Sequence, residues 1–126
     1  MKKTYLIFAA LILTLMGLIF ALAPNRYLAG FGAAISDPSL LNVIRSFGGF
    51  YLGLAAFLLL SSRKANLMDG AILSVALVMT GFLAGRTISL FADGLPNPKL
   101  WISLVIELIF AVWGFGLVLK NKENLI

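Results

Sequence analysis

The sequence predicts an all-α integral membrane protein, built as a four-helix bundle of membrane-spanning helices. Hydrophobic residues make up 61% of the chain and charged residues 12%, whereas a soluble domain has about 45–50% and about 25%. The hydrophobic residues form four long stretches, and a membrane span needs about 20 apolar residues. Four spans use most of the 126 residues, so we expect one membrane domain over residues 1–126.

The first span is predicted over residues 4–23. Lys2 and Lys3 precede an apolar run, and Pro24 ends it because proline lacks an amide hydrogen. A basic start and an apolar middle are also typical of a secretory signal peptide. We expect no cleavage, since the run is longer than the apolar core of most signals and Pro24 would directly follow the cut.

Helix caps delimit the second span. Residues 25–36 are moderately apolar with two glycines and are expected to form an interfacial loop. Asp37 then suits the N-cap and Pro38 the first helical position, which predicts a helix over residues 38–60.

The last two spans are delimited in the same way. Asn66 is predicted to cap a helix over residues 67–92, and Asp93-Gly94 to end it. Asn97-Pro98 repeats the cap and proline, so the fourth helix is expected over residues 98–120. The polar tail that follows is expected to be solvated.

Basic residues outside the spans predict the orientation. One side of the predicted topology has six of them and the other side has two, and cytoplasmic loops carry the excess of Lys and Arg. Both termini are therefore expected in the cytoplasm. The first group is Lys2, Lys3, Arg63, Lys64, Lys120 and Lys122, and the second is Arg26 and Lys99.

Three charged residues, Arg45, Arg86 and Glu107, lie deep inside the predicted spans rather than at their ends. Arg45, Arg86 and Glu107 fall roughly 10, 10 and 14 Å below the outer helix ends, counting about 1.5 Å per residue. An ionisable group at such a depth usually has a partner and is a candidate functional site. Helical spacing places further polar residues near them, namely Ser89, Asp93 and Ser103, with Tyr51 about a turn and a half below Arg45. We expect one polar network in the outer half of the bilayer.

Three interpretations of this network remain open. It can hold the helices together as a purely structural cluster. It can bind an anionic or lipid-like group such as a phosphate, a carboxylate or a quinone-like head, because two arginines face one deeply placed carboxylate. It can also support proton-coupled transport through Glu107, whose carboxyl group lies deepest within the predicted spans.

The composition disfavours other classes of function. The chain contains no cysteine and no histidine, so thiolate chemistry and His-ligated metals are excluded within it, and we expect neither a metal site nor a cofactor. No spacing of nucleophile and base is recognisable, so no catalytic residue is assigned. No basic run with interleaved aromatics suggests nucleic acid.

Glycines mark the predicted helix contacts. Gly49 and Gly53 on the second span, and Gly81 and Gly85 on the third, recur at four-residue spacing. Small residues let helices approach closely in lipid. We expect these four to pack helices inside the bundle, with a dimer face as the alternative.

The polar and glycine motifs resemble a known family. Arg45-x-x-Gly48-Gly49, Gly85-Arg86-x-x-Ser89, Asp93-Gly94 and Glu107, in this order, are similar to the pattern of an uncharacterised bacterial membrane family, a domain of unknown function grouped with the DoxX/DoxD-like four-helix proteins. The resemblance implies a four-helix membrane bundle in the bacterial inner membrane. The wider grouping includes suggested subunits of quinone-linked oxidoreductases and assembly helpers for other membrane proteins.

The expected function is therefore non-catalytic. We expect the polar site to bind a lipid-like or anionic small molecule, or a partner membrane protein, within the lipid bilayer. A homodimer is the oligomer that the transport alternative requires, and an accessory subunit of a quinone-linked oxidoreductase is a further alternative.

Overall fold

The computed structural model describes residues 1–123, so the last three residues of the polar tail lie outside it. The described chain is all-helical, and four of its helices are long and apolar enough to cross a membrane. This confirms the predicted fold class. The five helices are α1 (Lys2–Leu22), α2 (Pro24–Ala29), α3 (Pro38–Ser61), α4 (Ala65–Ala92) and α5 (Leu100–Glu123).

Local capping chemistry explains where α3 begins and α4 ends. The Asp37 carboxylate accepts the Leu40 amide at 2.8 Å, and Pro38 is the first helical residue, both as predicted. Gly94 follows α4 with a φ of +94°, a conformation that glycine adopts without a Cβ penalty. The predicted cap at Asn66 is wrong, because α4 begins at Ala65, two residues before its predicted start, with Lys64 extended before it. The predicted start of the fourth helix at Pro98 is also wrong, because α5 begins at Leu100.

The connection between α1 and α3 is more ordered than the expected loop. Ala23 leaves the helical conformation, with φ −142° and ψ 56°, and Pro24 starts the short helix α2. The Asn25 side chain then donates to the Ile35 carbonyl and accepts from the Ile35 amide, both at 2.9 Å. These two bonds close residues 25–35 into a compact loop.

The four long helices form two hairpins. α1 packs most extensively against α3, and α4 against α5, while α1–α4 and α3–α4 contacts join the two pairs. The α1–α3 contact is close because Gly17 and Gly48 bring backbone against backbone. Gly114 of α5 makes room in a similar way for the ring of Tyr5.

The buried core lies toward one end of the bundle, near Lys2 and the α3–α4 turn. Its side chains interlock around Tyr5, whose hydroxyl donates to the Phe110 carbonyl at 2.9 Å. At the opposite end, which carries α2 and the α4–α5 connection, packing is looser; we call it the α2 end. The core residues are Tyr5, Leu6, Ala9, Ala10, Leu13, Ala55, Leu58, Ala71, Ile72, Val75, Met79, Phe110, Ala111 and Leu117.

The outer surface of the bundle is strongly apolar. Leu15 on α1 is 60% exposed and Val112 on α5 is 65% exposed, values that water would disfavour for a contiguous surface. A lipid environment removes that cost. The surface and the helix lengths together describe a multi-pass membrane protein.

Candidate functional site

An ion pair between α4 and α5 forms the polar centre of the bundle. Arg86 Nε donates to both carboxylate oxygens of Glu107, at 3.0 and 2.8 Å, and Arg86 Nη2 donates to Oε1 at 2.8 Å. Such a forked pair fixes the orientation of both side chains. The Glu107 side chain is 10% exposed and that of Arg86 is 30% exposed.

This pair lies in the wall of a cavity toward the α2 end. The cavity has a volume of about 170 Å³, and all four long helices and α2 contribute to it. Its walls are mostly aliphatic and aromatic, and its polar groups are the ion pair and three hydroxyls. We call it the central cavity; it is lined by Ile12, Leu13, Met16, Phe20, Tyr27, Tyr51, Met79, Phe82, Arg86, Ser103, Ile106 and Glu107.

Two of the predicted polar residues contribute hydroxyls to the central cavity. Ser103 lies one helical turn before Glu107 on α5 and shares its face. Tyr51 reaches the cavity from α3, where its ring lies 6.2 Å from that of Phe82 and 5.8 Å from that of Phe20. Four of the residues predicted to form one polar network therefore line the same cavity, namely Tyr51, Arg86, Ser103 and Glu107.

Arg45 lies elsewhere. Its Nη1 group donates to the backbone carbonyl of Ala21 at the end of α1, and the lining of the central cavity does not include it. The reason lies in α1, which ends at Leu22, so the Ala21 carbonyl is one of the last four that lack a donor within the helix. A guanidinium also matches the negative end of the helix dipole. The expectation that Arg45 and Arg86 lie at one site is therefore wrong. Arg45 instead caps the C-terminal end of α1.

Ser89 and Asp93 form a separate pair near the end of α4. The Ser89 hydroxyl donates to Asp93 Oδ2 at 2.7 Å, and both residues are exposed. Ser89 borders a small cleft of about 80 Å³ between α4 and α5, whose wall also includes Arg86, Pro96 and Trp101. Arg86 thus contacts both the cleft and the central cavity, whereas Asp93 lines neither.

The contribution of α1 and α2 to the central cavity was not predicted from the sequence. Ile12, Met16 and Phe20 recur every four residues and line one face of α1. This spacing was visible, but apolar residues facing a cavity cannot be told from those facing lipid by periodicity alone. Tyr27 reaches the cavity from α2.

The glycines expected to pack helices do not do so in the described chain. A Cβ added at Gly49, Gly53, Gly81 or Gly85 would meet no atom within 4 Å. The close approaches occur instead at Gly17, Gly48 and Gly114. The four predicted glycines lie on exposed faces, and contact there with a second chain stays a prediction.

Comparison with protein-family models identifies the family of this chain. Residues 1–118 match the family described as Domain of unknown function (DUF4345). The chain belongs to this family. The DUF4345 match extends over every residue of the central cavity, so the cavity lies entirely within the family domain. Comparisons with curated proteins and with solved structures find no match.

Proposed function

We propose that this chain is a non-catalytic membrane protein that binds a small lipid-like molecule in the central cavity. The observation that carries the proposal is the Arg86–Glu107 pair in the wall of an otherwise apolar, aromatic space. Ligand sites typically combine such walls with a few fixed polar groups. The polar head of the ligand would bind at this pair, beside the hydroxyls of Ser103 and Tyr51.

The geometry favours binding over a purely structural ion pair. A pair that only joins α4 to α5 needs no adjoining space, and sealing it would strengthen it by excluding water. Here the hydrogen bonds of Arg86 to described residues all go to Glu107 through Nε and Nη2. Its Nη1 group retains two donors for a ligand oxygen.

The orientation proposed for the protein follows from its charges. Lys2, Lys3, Arg63, Lys64 and Lys120 lie at the core end of the bundle, and Arg26 and Lys99 at the α2 end. The positive-inside rule then places both termini in the cytoplasm and the central cavity in the outer half of the bilayer. The bacterial inner membrane and the DoxX/DoxD-like grouping belong to the same proposal, as does the alternative of an accessory subunit of a quinone-linked oxidoreductase.

Native mass spectrometry of protein extracted gently from its membrane tests the binding proposal. We expect the wild type to carry a small amphiphile that Met16→Trp loses, because Met16 lines the central cavity. Leu15→Trp is the matched control, since Leu15 is 60% exposed on the same helix and outside the cavity lining. A wild type without any adduct, or equal adducts in the two variants, would contradict binding in the cavity.

Proton-coupled transport through Glu107 is the second candidate. It is favoured by Arg86, which contacts both the central cavity and the cleft beside Trp101 and so connects the Glu107 carboxylate to two separate spaces. Proton flux into liposomes that contain the purified protein tests this candidate. Glu107→Gln should abolish the flux, and unchanged flux in that variant excludes transport by this residue.

A further inference from the structure

A second space adjoins the central cavity between α1, α2 and α3. It is a groove of about 330 Å³. Phe20, Tyr27 and Tyr51 border both the groove and the central cavity. The two spaces therefore meet at these three aromatic side chains. We call the second space the apolar groove; its remaining lining residues are Pro24, Leu28, Ile44 and Phe47.

Ring contacts hold this junction together. The ring centroids of Phe20 and Tyr27 lie 5.1 Å apart at 80°, and those of Phe20 and Tyr51 lie 5.8 Å apart. Within the described chain, no hydrogen bond fixes the hydroxyl of Tyr27 or Tyr51. Side-chain rotations are fast compared with backbone rearrangements, so the rings can turn without moving a helix.

Size restricts what the central cavity can hold. A cavity of about 150 Å³ accommodates benzene, and a whole drug-sized ligand needs about 300–1,000 Å³. At about 170 Å³, the central cavity holds a group the size of one ring. A lipid-like molecule with its head there must place its chain outside, and the apolar groove adjoins the cavity directly.

Charge restricts the head as well. Arg86 and Glu107 neutralise each other, and Arg45 is engaged at the end of α1. An anionic head would add an uncompensated charge to a site of low polarity, which is costly. An uncharged head with hydrogen-bonding oxygens would use Arg86 Nη1 and the hydroxyls of Ser103 and Tyr51 without this cost.

We propose that the ligand is a single-chain amphiphile whose uncharged, ring-sized head occupies the central cavity and whose apolar chain lies in the apolar groove. This inference rests on the proposed function of the central cavity and specifies its ligand class. It differs from ordinary lipid contact, because a chain anchored by its head takes one position on the protein surface, whereas bulk acyl chains contact every exposed apolar face.

Photo-crosslinking with two forms of 4-dodecylphenol tests the inference. One form carries a diazirine on the ring and the other at the end of the chain, and both are used with the full chain in phosphatidylcholine nanodiscs. We expect ring-labelled probe on Met16, Met79 or Phe82, and chain-labelled probe on Leu28, Ile44 or Phe47. Labelling in the groove should exceed labelling of the exposed residues Leu59 and Val112 at least fivefold.

Two variants of α3 provide the matched control. Ile44→Trp fills the apolar groove and should reduce chain labelling there at least fivefold, whereas Leu59→Trp adds the same side chain outside the groove and should leave it unchanged. Unlabelled 4-dodecylphenol should compete better than dodecyl phosphate. Stronger competition by the phosphate would overturn the uncharged head.

The two labelled probes test binding in the central cavity and binding in the apolar groove separately. Ring labelling in the central cavity with chain labelling spread over all lipid-facing residues would overturn the groove and retain binding in the cavity. Absence of labelling in both spaces would overturn both. Labelling of the groove by the ring, and of the cavity by the chain, would overturn the assignment of head and chain.

Discussion

A methyl group on Gly48 would lie 2.5 Å from the backbone nitrogen of Ala21 and 2.8 Å from the carbonyl oxygen of Gly17. Both of these atoms belong to the α1 backbone, so neither can rotate away as a side chain would. The α1–α3 hairpin is therefore held at a spacing that only glycine permits at this position.

Gly48→Ala should lower the free energy of unfolding by about 1–3 kcal/mol, the usual cost of overpacking. The adjacent Gly49→Ala is the control, because a Cβ at Gly49 meets nothing within 4 Å. Gly49→Ala should be neutral or stabilising by up to about 1 kcal/mol, since alanine is the better helix former. Unfolding of both variants in mixed detergent measures the difference, and equal stabilities would contradict the close approach.

Arg86→Ala should destabilise the protein in detergent more than Arg26→Ala. Removing one partner of a buried pair costs about 3–5 kcal/mol, and we expect about 2–3 kcal/mol here because Arg86 is 30% exposed. Arg26 lies exposed on α2, so its removal should cost little. Equal melting temperatures would argue against a stabilising pair.

A double substitution sharpens the interpretation of that result. Glu107→Gln added to Arg86→Met should recover part of the lost stability, because neither charge is then left without its partner. The coupling energy of the four-variant cycle isolates the pair. A coupling near zero would show that Arg86 stabilises the bundle only by packing.

Arg45→Met should weaken the end of α1 without changing the occupancy of the central cavity. Its guanidinium donates to the Ala21 carbonyl, and Arg45 is absent from the cavity lining. Hydrogen exchange should rise at residues 19–23, while the adduct seen by native mass spectrometry stays at its wild-type level. Loss of the adduct in Arg45→Met, with α1 protection intact, would return Arg45 to the binding site.

Asn25→Ala should loosen the α2 end locally. The variant loses two hydrogen bonds of 2.9 Å to Ile35, each worth about 0.5–1.5 kcal/mol. Faster hydrogen exchange over residues 25–35 is the expected result. Asn66→Ala is the control, because the Asn66 side chain does not cap α4, and it should leave exchange at the start of α4 unchanged.

The spans were predictable because their signals are local. The length and hydropathy of a span depend only on consecutive residues. The same is true of the capping motifs Asp37-Pro38 and Asp93-Gly94. Residues 25–36 were predicted less well, since the Asn25–Ile35 bonds that order them join positions ten residues apart. The start of α4 was also predicted less well, because the helix begins at Ala65, one residue before the predicted cap Asn66.

Only part of the polar site could be predicted from the sequence. Counting residues gives the depth of a side chain in the bilayer, and Arg86 and Glu107 indeed lie within bonding distance. Depth does not give direction around the helix. Arg45 and Tyr51 are six residues apart, which turns them about 120° from each other at about 100° per residue, so Tyr51 reaches the central cavity and Arg45 reaches α1. The direction in which α3 packs decides which of its side chains face the cavity, and the sequence alone does not give that direction.

The Arg86–Glu107 pair joins two consecutive spans, α4 and α5, rather than distant ones. An arginine or an acidic residue in mid-membrane costs about 2.5–3.5 kcal/mol during insertion when it enters alone. Because both residues belong to one hairpin, they can neutralise each other while that hairpin leaves the translocon. These two charges thus need no partner from α1 or α3 during biogenesis.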